Sequence, residues 1–212
     1  MSEEARLGEA ICRFGDLLYR RGYAHGSTGN ISARLDDGSF LISPTNSCLG
    51  LLDPARLARV TPDGRHIGGD PPSKEAFLHL AMYEERAGAR GIVHLHSTHA
   101  VAVSCLRHDD PTDVLPPITA YHVMRIGRLP LIPYYRPGDR SLTEAVRAAA
   151  RRHHAVLLAN HGPVVAGKSL EDAVFNAEEL EETAKLRLLL EGRPTRFLDA
   201  AQIAALAAAF PS

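Results

Sequence analysis

The segment that most restricts how this chain can fold is Gly91-Ile92-Val93-His94-Leu95-His96, an apolar run interrupted by two imidazoles. On a β-strand, residues two apart point to the same face, so both rings are presented together. A third histidine stands in Leu158-Ala159-Asn160-His161-Gly162, just past another apolar run. A lone histidine in an apolar strand is more often a hydrogen-bonded core residue than a ligand. Two on one strand face, with a third in an Asn-His-Gly turn, favour a metal site, even though 11 histidines make chance pairs a hazard. Three imidazoles leave one place open on a tetrahedral or five-coordinate zinc ion, as catalytic rather than structural sites do. His99, His122, His153 and His154 are read as surface, core or supporting residues.

At 212 residues the chain is long enough for one domain with a sizeable core, and residues 1–212 are expected to form a single domain. A hydrophobic content of 45% and a charged content of 23% belong to an ordinary globular protein. The formal net charge of −1 provides no general attraction to nucleic acid or an anionic membrane, so an anionic substrate must be met by a local pocket. Cys12, Cys48 and Cys105 are odd in number and lack C-x-x-C spacing. They are expected to be buried or half-buried thiols rather than a disulfide framework or zinc ligands. The start Met-Ser-Glu-Glu-Ala lacks the basic and apolar regions of a secretory leader, and no apolar stretch approaches a membrane span. The expected location is the cytoplasm.

Leu7, Ile11, Phe14 and Leu18 recur at helical spacing and predict an amphipathic helix ending near Arg20-Arg21-Gly22. Ile31 to Leu35 and Ser39 to Ser43 flank Asp36-Asp37-Gly38, a hairpin signal. A helix is expected from about Lys74 to Arg86, a strand at Gly91–His96, and a helix over Thr98–Leu106. The proline-rich stretch Asp109–Pro137 is expected to hold short strands at best, with Leu129–Pro133 limited to an edge. Ser141-Leu142-Thr143-Glu144 reads as a capping box opening a helix to about Arg152. Ala155–Ala159 and Pro163–Ala166 are expected strands around His161. Ser169-Leu170-Glu171-Asp172 opens a long helix that stops near Gly192, and an alanine-rich helix closes the chain. This mixture predicts a single-domain α/β/α sandwich with a mainly antiparallel central sheet.

Three further segments suit a phosphate. Ser27-Thr28-Gly29-Asn30 combines hydroxyls, an amide and open backbone; Ser43-Pro44-Thr45-Asn46-Ser47 repeats that chemistry; Ser73-Lys74 adds a hydroxyl and a positive charge near a helix N-terminus. Each alone is more often a turn or a cap, and none matches the nucleotide P-loop. Glu75, taken alone in the first turn of a helix, is usually solvated or placed there for the helix dipole.

Together these residues resemble the class II aldolase superfamily of sugar-phosphate aldolases and epimerases. The resemblance runs from about Leu7 to Gly192 through Ser27–Ser32, Ser43-Pro44-Thr45, Ser73-Lys74-Glu75, His94-Leu95-His96 and Asn160-His161-Gly162. Ser43–Gly50, His94–His99, Tyr134–Asp139, Leu157–Pro163 and Ala177–Lys185 are similar to its 3-oxo-tetronate 4-phosphate decarboxylase branch. The resemblance implies a divalent cation, usually zinc, on His94, His96 and His161, with Glu75 as a further ligand and acid/base. It implies phosphate contacts from Ser27, Asn30, Thr45, Asn46, Ser73 and Lys74, although Asn46 and Lys74 depart from the glycine and serine of the fuculose-phosphate aldolase pattern. It also implies a homotetramer with active sites between subunits, where Tyr121, Tyr135 or Arg136 would be contributed by a neighbouring chain. The implied reaction is decarboxylation of 3-oxo-tetronate 4-phosphate through an enediolate. Retro-aldol cleavage and pentulose-phosphate 4-epimerisation share that intermediate and stand as alternatives. A non-catalytic, adducin-like scaffold is disfavoured by the presence of all three histidines and Glu75.

Overall fold

The computed structural model describes residues 1–136, 139 and 141–210. Pro137 and Gly138, part of the Tyr134–Asp139 signature, therefore lie outside the described residues. Among those described, one eight-stranded sheet runs in the order β4-β3-β2-β1-β5-β8-β7-β6. Its strands are β1 (Asn30–Arg34), β2 (Phe40–Ile42), β3 (Ala58–Val60), β4 (His66–Gly68), β5 (Gly91–His94), β6 (Leu131–Ile132), β7 (Ala155–Leu158) and β8 (Gly162–Gly167). Every neighbouring pair is antiparallel except β6 and β7.

Helices cover both faces, because adjacent residues of the central strands are apolar on opposite sides. Val93, Val165 and Leu157 face one core with α1 (Glu3–Arg20), α3 (Thr98–Ser104) and α6 (Leu170–Leu189). Their neighbours Ile92, Val164 and Val156 face the other, with α2 (Ala76–Glu85) and α5 (Ser141–Ala150). The expected sandwich with a mainly antiparallel sheet is the architecture found. Ile11, Phe14 and Leu18 form the buried stripe of α1, as their spacing predicts. Asp36-Asp37-Gly38 turns between β1 and β2. Ser169 caps α6 by accepting from the Asp172 N–H. The closing helix α7 (Ala200–Ala209) buries none of its residues. Among the described residues, no helix is long and apolar enough to cross a membrane.

Several expectations need correction. The proline-rich stretch contains a helix, α4 (Ala120–Arg125), which Thr119 opens by accepting from the His122 N–H. Ser141 is the first helical residue of α5 rather than its cap, and its N–H and O–H both donate to Asp139. The strand expected over Gly91–His96 ends at His94, because the chain turns at Ser97 to enter α3. Glu75 precedes α2 instead of lying in its first turn, and its side chain makes no capping bond. Of the three free thiols, Cys105 is exposed at the end of α3 rather than buried.

Burial of histidines makes the fold acid-sensitive. His79 and His122 are 0% and 1% exposed, and burial pushes them down to about 3 and about 4. In the unfolded chain each titrates near ~6.5, so below that pH the unfolded state takes up protons the folded state does not. Stability of the metal-free protein should therefore fall on acidification, by ~1.4 kcal/mol per pH unit for each of the two rings. Urea unfolding between about pH 6 and about pH 4.5 measures this; a pH-independent midpoint would contradict it.

Candidate metal centre

The sheet register assembles the centre. Asn30 on β1 stands opposite His94 on β5, and His94 stands opposite Val164 on β8. Those positions lie on the α2 face of the sheet, so the start of α2 can bring Glu75 to them. His96 follows two residues after His94 on the same side. His161 comes from the turn between β7 and β8, where Asn160 takes a left-handed conformation with φ 55°. The turn presses against the exit of β5. A Cβ on Gly162 would lie 2.2 Å from the Leu95 carbonyl oxygen, so only glycine lets the His161 turn approach this closely. Gly29 plays a matching part before β1, with φ 78° and space for a Cβ only 2.9 Å from the His94 carbonyl oxygen.

One ligand atom from each of Glu75, His94, His96 and His161 lies within 4.8 Å of all the others. Glu75 Oε1 is 3.0 Å from His161 Nε2, and Oε2 is 3.4 Å from His94 Nε2. The Nε2 atoms of His94 and His96 are 3.1 Å apart. The three rings meet edge to face, with centroids 4.7–5.0 Å apart. His94 Nδ1 donates to the Pro163 carbonyl at 2.8 Å, which orients the ring and leaves Nε2 as the nitrogen aimed at the cluster. Three imidazoles and one carboxylate converging in this way fit a divalent cation.

The local electrostatics follow from crowding these groups. Burial opposes ionisation of Glu75, but His94 and His161 outweigh it and hold the carboxyl well below the usual carboxylate range. Burial also works against charge on His94, yet Glu75 and the Pro163 carbonyl keep its pKa above the ordinary value. His96 goes the other way: burial, then repulsion from His94 and His161, push it down to about 3. Without a cation the cluster thus favours a carboxylate on Glu75 and charge on His94, and disfavours charge on His96.

The other candidate residues are placed around this cluster. Ser73 and Asn30 meet at 3.1 Å, and the Asn30 amide also donates to Glu75 Oε2 at 2.8 Å. Thr45 is drawn beside them by its N–H bond to the Pro71 carbonyl and by the bridge between Pro44 and Pro72. Ser27, Asn46 and Lys74 are exposed on the same segments. Tyr121, on α4, and Arg136 are exposed, whereas Tyr135 packs against the α2–α5 core. Sequence reasoning missed His79, Ser32 and Tyr83, which support Asn30 from behind. The available signal was spacing: His79 lies one helical turn beyond Glu75, and Ser32 lies two strand residues beyond Asn30.

The family model described as Class II Aldolase and Adducin N-terminal domain matches residues 9–188. The 3-oxo-tetronate 4-phosphate decarboxylase of Escherichia coli strain K12 is 51% identical over 203 residues, covering 96% of each chain. The L-fuculose phosphate aldolase of Methanocaldococcus jannaschii is 38% identical over 179 residues, covering 84% of this chain and 92% of that one. Among solved structures, YgbL from Escherichia coli superposes with a TM-score of 0.95 at 49% identity, covering 97% of this chain and 99% of that one.

Two measurements check the centre. A cation bound at His94 Nε2 displaces the proton that Glu75 helps retain there, so acidification should weaken binding. The affinity for zinc should therefore fall as the pH is lowered, with proton release on binding. Competition with a chelator between about pH 6 and about pH 8 reads this, and a flat profile would refute it. Gly162→Ala should displace the His161 turn and weaken zinc binding about 10- to 100-fold while the protein stays folded by circular dichroism.

Proposed function

The chain belongs to the class II aldolase and adducin family, and from that membership we propose that it decarboxylates 3-oxo-tetronate 4-phosphate to dihydroxyacetone phosphate and carbon dioxide. The observation that carries this reading over the aldolase one is the near full-length similarity to decarboxylases, which exceeds that to fuculose-phosphate aldolases. The intact set of Glu75, His94, His96 and His161 supports a catalyst rather than an adducin-like scaffold.

In this reaction the bond between the carboxylate carbon and its neighbour breaks. Carbon dioxide leaves, the electron pair stays on the neighbouring carbon in conjugation with the ketone, and one proton must return to that carbon. A divalent cation held by His94, His96, His161 and Glu75, zinc by the character of these donors, would supply Lewis-acid stabilisation of the developing negative charge. Glu75 is assigned the proton delivery. In this structure the neighbouring imidazoles favour its ionisation against the opposing effect of burial. A bound cation would pull in the same direction, so Glu75 would deliver a proton only once displaced from the ion, where burial favours the protonated carboxyl. Asn30 steadies Oε2 throughout, since an amide N–H donates to either form of the group.

The substrate phosphate is assigned to Ser27, Asn30, Thr45, Asn46, Ser73 and Lys74. Ser73 is tied by hydrogen bonds to Asn30 and Glu75, and the Thr45 loop is joined to the Ser73 segment through Thr45 N–H to the Pro71 carbonyl and Ser73 N–H to the Ser43 carbonyl. Residues 1–212 would act as one catalytic unit in the cytoplasm, assembled as a homotetramer in which Tyr121, Tyr135 or Arg136 of a neighbouring chain completes the pocket. The exposure of Tyr121, 62%, accords with that role.

The deciding experiment offers the zinc-loaded protein two substrates separately. Carbon dioxide from 3-oxo-tetronate 4-phosphate and no aldehyde from fuculose phosphate is the expected result; aldehyde alone would reject the reading. Glu75→Gln should lower kcat for carbon dioxide release by about 10²- to 10⁴-fold.

A further inference from the structure

Behind Glu75, four polar side chains continue one hydrogen-bonded row. Asn30 Nδ2 lies 2.8 Å from Glu75 Oε2, and Asn30 Oδ1 lies 2.5 Å from His79 Nε2. His79 Nδ1 is 2.7 Å from Ser32 Oγ, which is 2.9 Å from Tyr83 Oη. Asn30, Ser32, His79 and Tyr83 are each at most 3% exposed. The row is built from two matched spacings. Glu75 at the start of α2 and His79 within it lie four residues apart, while β1 presents Asn30 and Ser32 on a single face.

The atoms that face each other set the direction of each bond in the row. A carboxylate only accepts, so the atom of Asn30 that faces it is the amide nitrogen. That turns the Asn30 carbonyl oxygen toward His79. A carbonyl also only accepts, so His79 Nε2 carries a hydrogen. Burial keeps the ring neutral, pushing it down to about 3, which leaves Nδ1 bare. Ser32 therefore donates to His79, and Tyr83 donates to Ser32.

We propose that His79 is a positioning residue for Glu75: as the Nε2–H tautomer, with Nδ1 accepting from Ser32, it donates to the Asn30 carbonyl and so holds the amide with its nitrogen toward Glu75 and Ser73. Without that donor the buried Asn30 carbonyl oxygen loses its partner, and the amide shifts to find another. Glu75 Oε2 would then lose its amide hydrogen bond, and the carboxyl would no longer be held in place between His94 and His161. The catalytic consequence rests on the assignment of proton delivery to Glu75; the tautomer does not.

Two measurements test this separately. The first uses metal-free wild-type protein with ¹⁵N-labelled histidine, the His79 signals being assigned by their loss in His79→Gln. A neutral Nε2–H signature throughout the range from about pH 5 to about pH 8 is expected. An Nδ1–H tautomer, or an imidazolium, would overturn the proposal. The second compares two amides. His79→Gln can place an N–H near the position of Nε2, whereas His79→Asn stops near Nδ1 and leaves Asn30 unheld. His79→Asn should lower kcat about 10- to 100-fold with KM changed less than about twofold, and His79→Gln should restore most of the loss. Equal losses in the two variants, or no loss in His79→Asn, would overturn it. If the wild-type protein releases no carbon dioxide, the decarboxylase reading falls, and the nitrogen spectrum still decides the tautomer.

Discussion

Four chemically demanding side chains share one small volume because three antiparallel strands hold a single register, with Asn30 opposite His94 and His94 opposite Val164. Side chains alternate along a strand, so a slip of one residue in β5 would send His94 into the α1–α6 core and turn Val93 toward Glu75. Apolar burial resists that slip weakly here, since both faces of β5 are covered and Ile92 and Val93 are equally at home in an apolar core. Polar contacts supply the missing discrimination. The Pro163 carbonyl accepts from both the Leu95 N–H and the His94 ring, and Ser43 Oγ accepts from the Ile31 N–H. The same contacts that aim the imidazoles also fix the strands that carry them.

Collecting those groups has an electrostatic cost that the arrangement offsets locally. A buried carboxylate without partners would take up a proton, whereas Glu75 has two imidazoles and an amide N–H around it. Charge on His94 is favoured by the same contact, while His96 is kept neutral by burial first and by repulsion from the neighbouring rings second. The chemistry of a cation site is therefore present in the protein's own charges: a place where positive charge is favoured, surrounded by nitrogen lone pairs. Support from below reaches through Asn30 to a neutral, buried His79, so the carboxylate is held from one side and open to chemistry on the other.

Much of this was legible in the amino-acid sequence, for reasons that differ by element. The stripe of α1, the Asp36-Asp37-Gly38 hairpin and the Ser169 cap of α6 are local features, decided by spacing and turn chemistry within a few residues. The three histidines stood out because imidazoles are conspicuous in apolar runs. By contrast, α4 is a short helix hidden among prolines, and β3 and β4 are three-residue strands with little periodicity to detect. Glu75 carried no local mark of its importance, and its meaning in the sequence came from resemblance alone. His79 was invisible as a supporting residue because its partners, Asn30 and Ser32, are remote in the chain.

The amino-acid order alone determined which residue types could meet and on which face each would lie, since alternation on strands and helical spacing are properties of neighbouring residues. It also determined the chemistry on offer: imidazole nitrogens, one carboxylate, and hydroxyl-rich turns. Only the folded arrangement decided that the His161 turn would press against the exit of β5, that Glu75 would turn inward instead of capping its helix, and that Asn30 would be gripped between a carboxylate and His79. Those outcomes depend on the pairing of distant strands and the packing of α2 against them, and no local pattern encodes the direction in which a hydrogen bond between remote side chains will run.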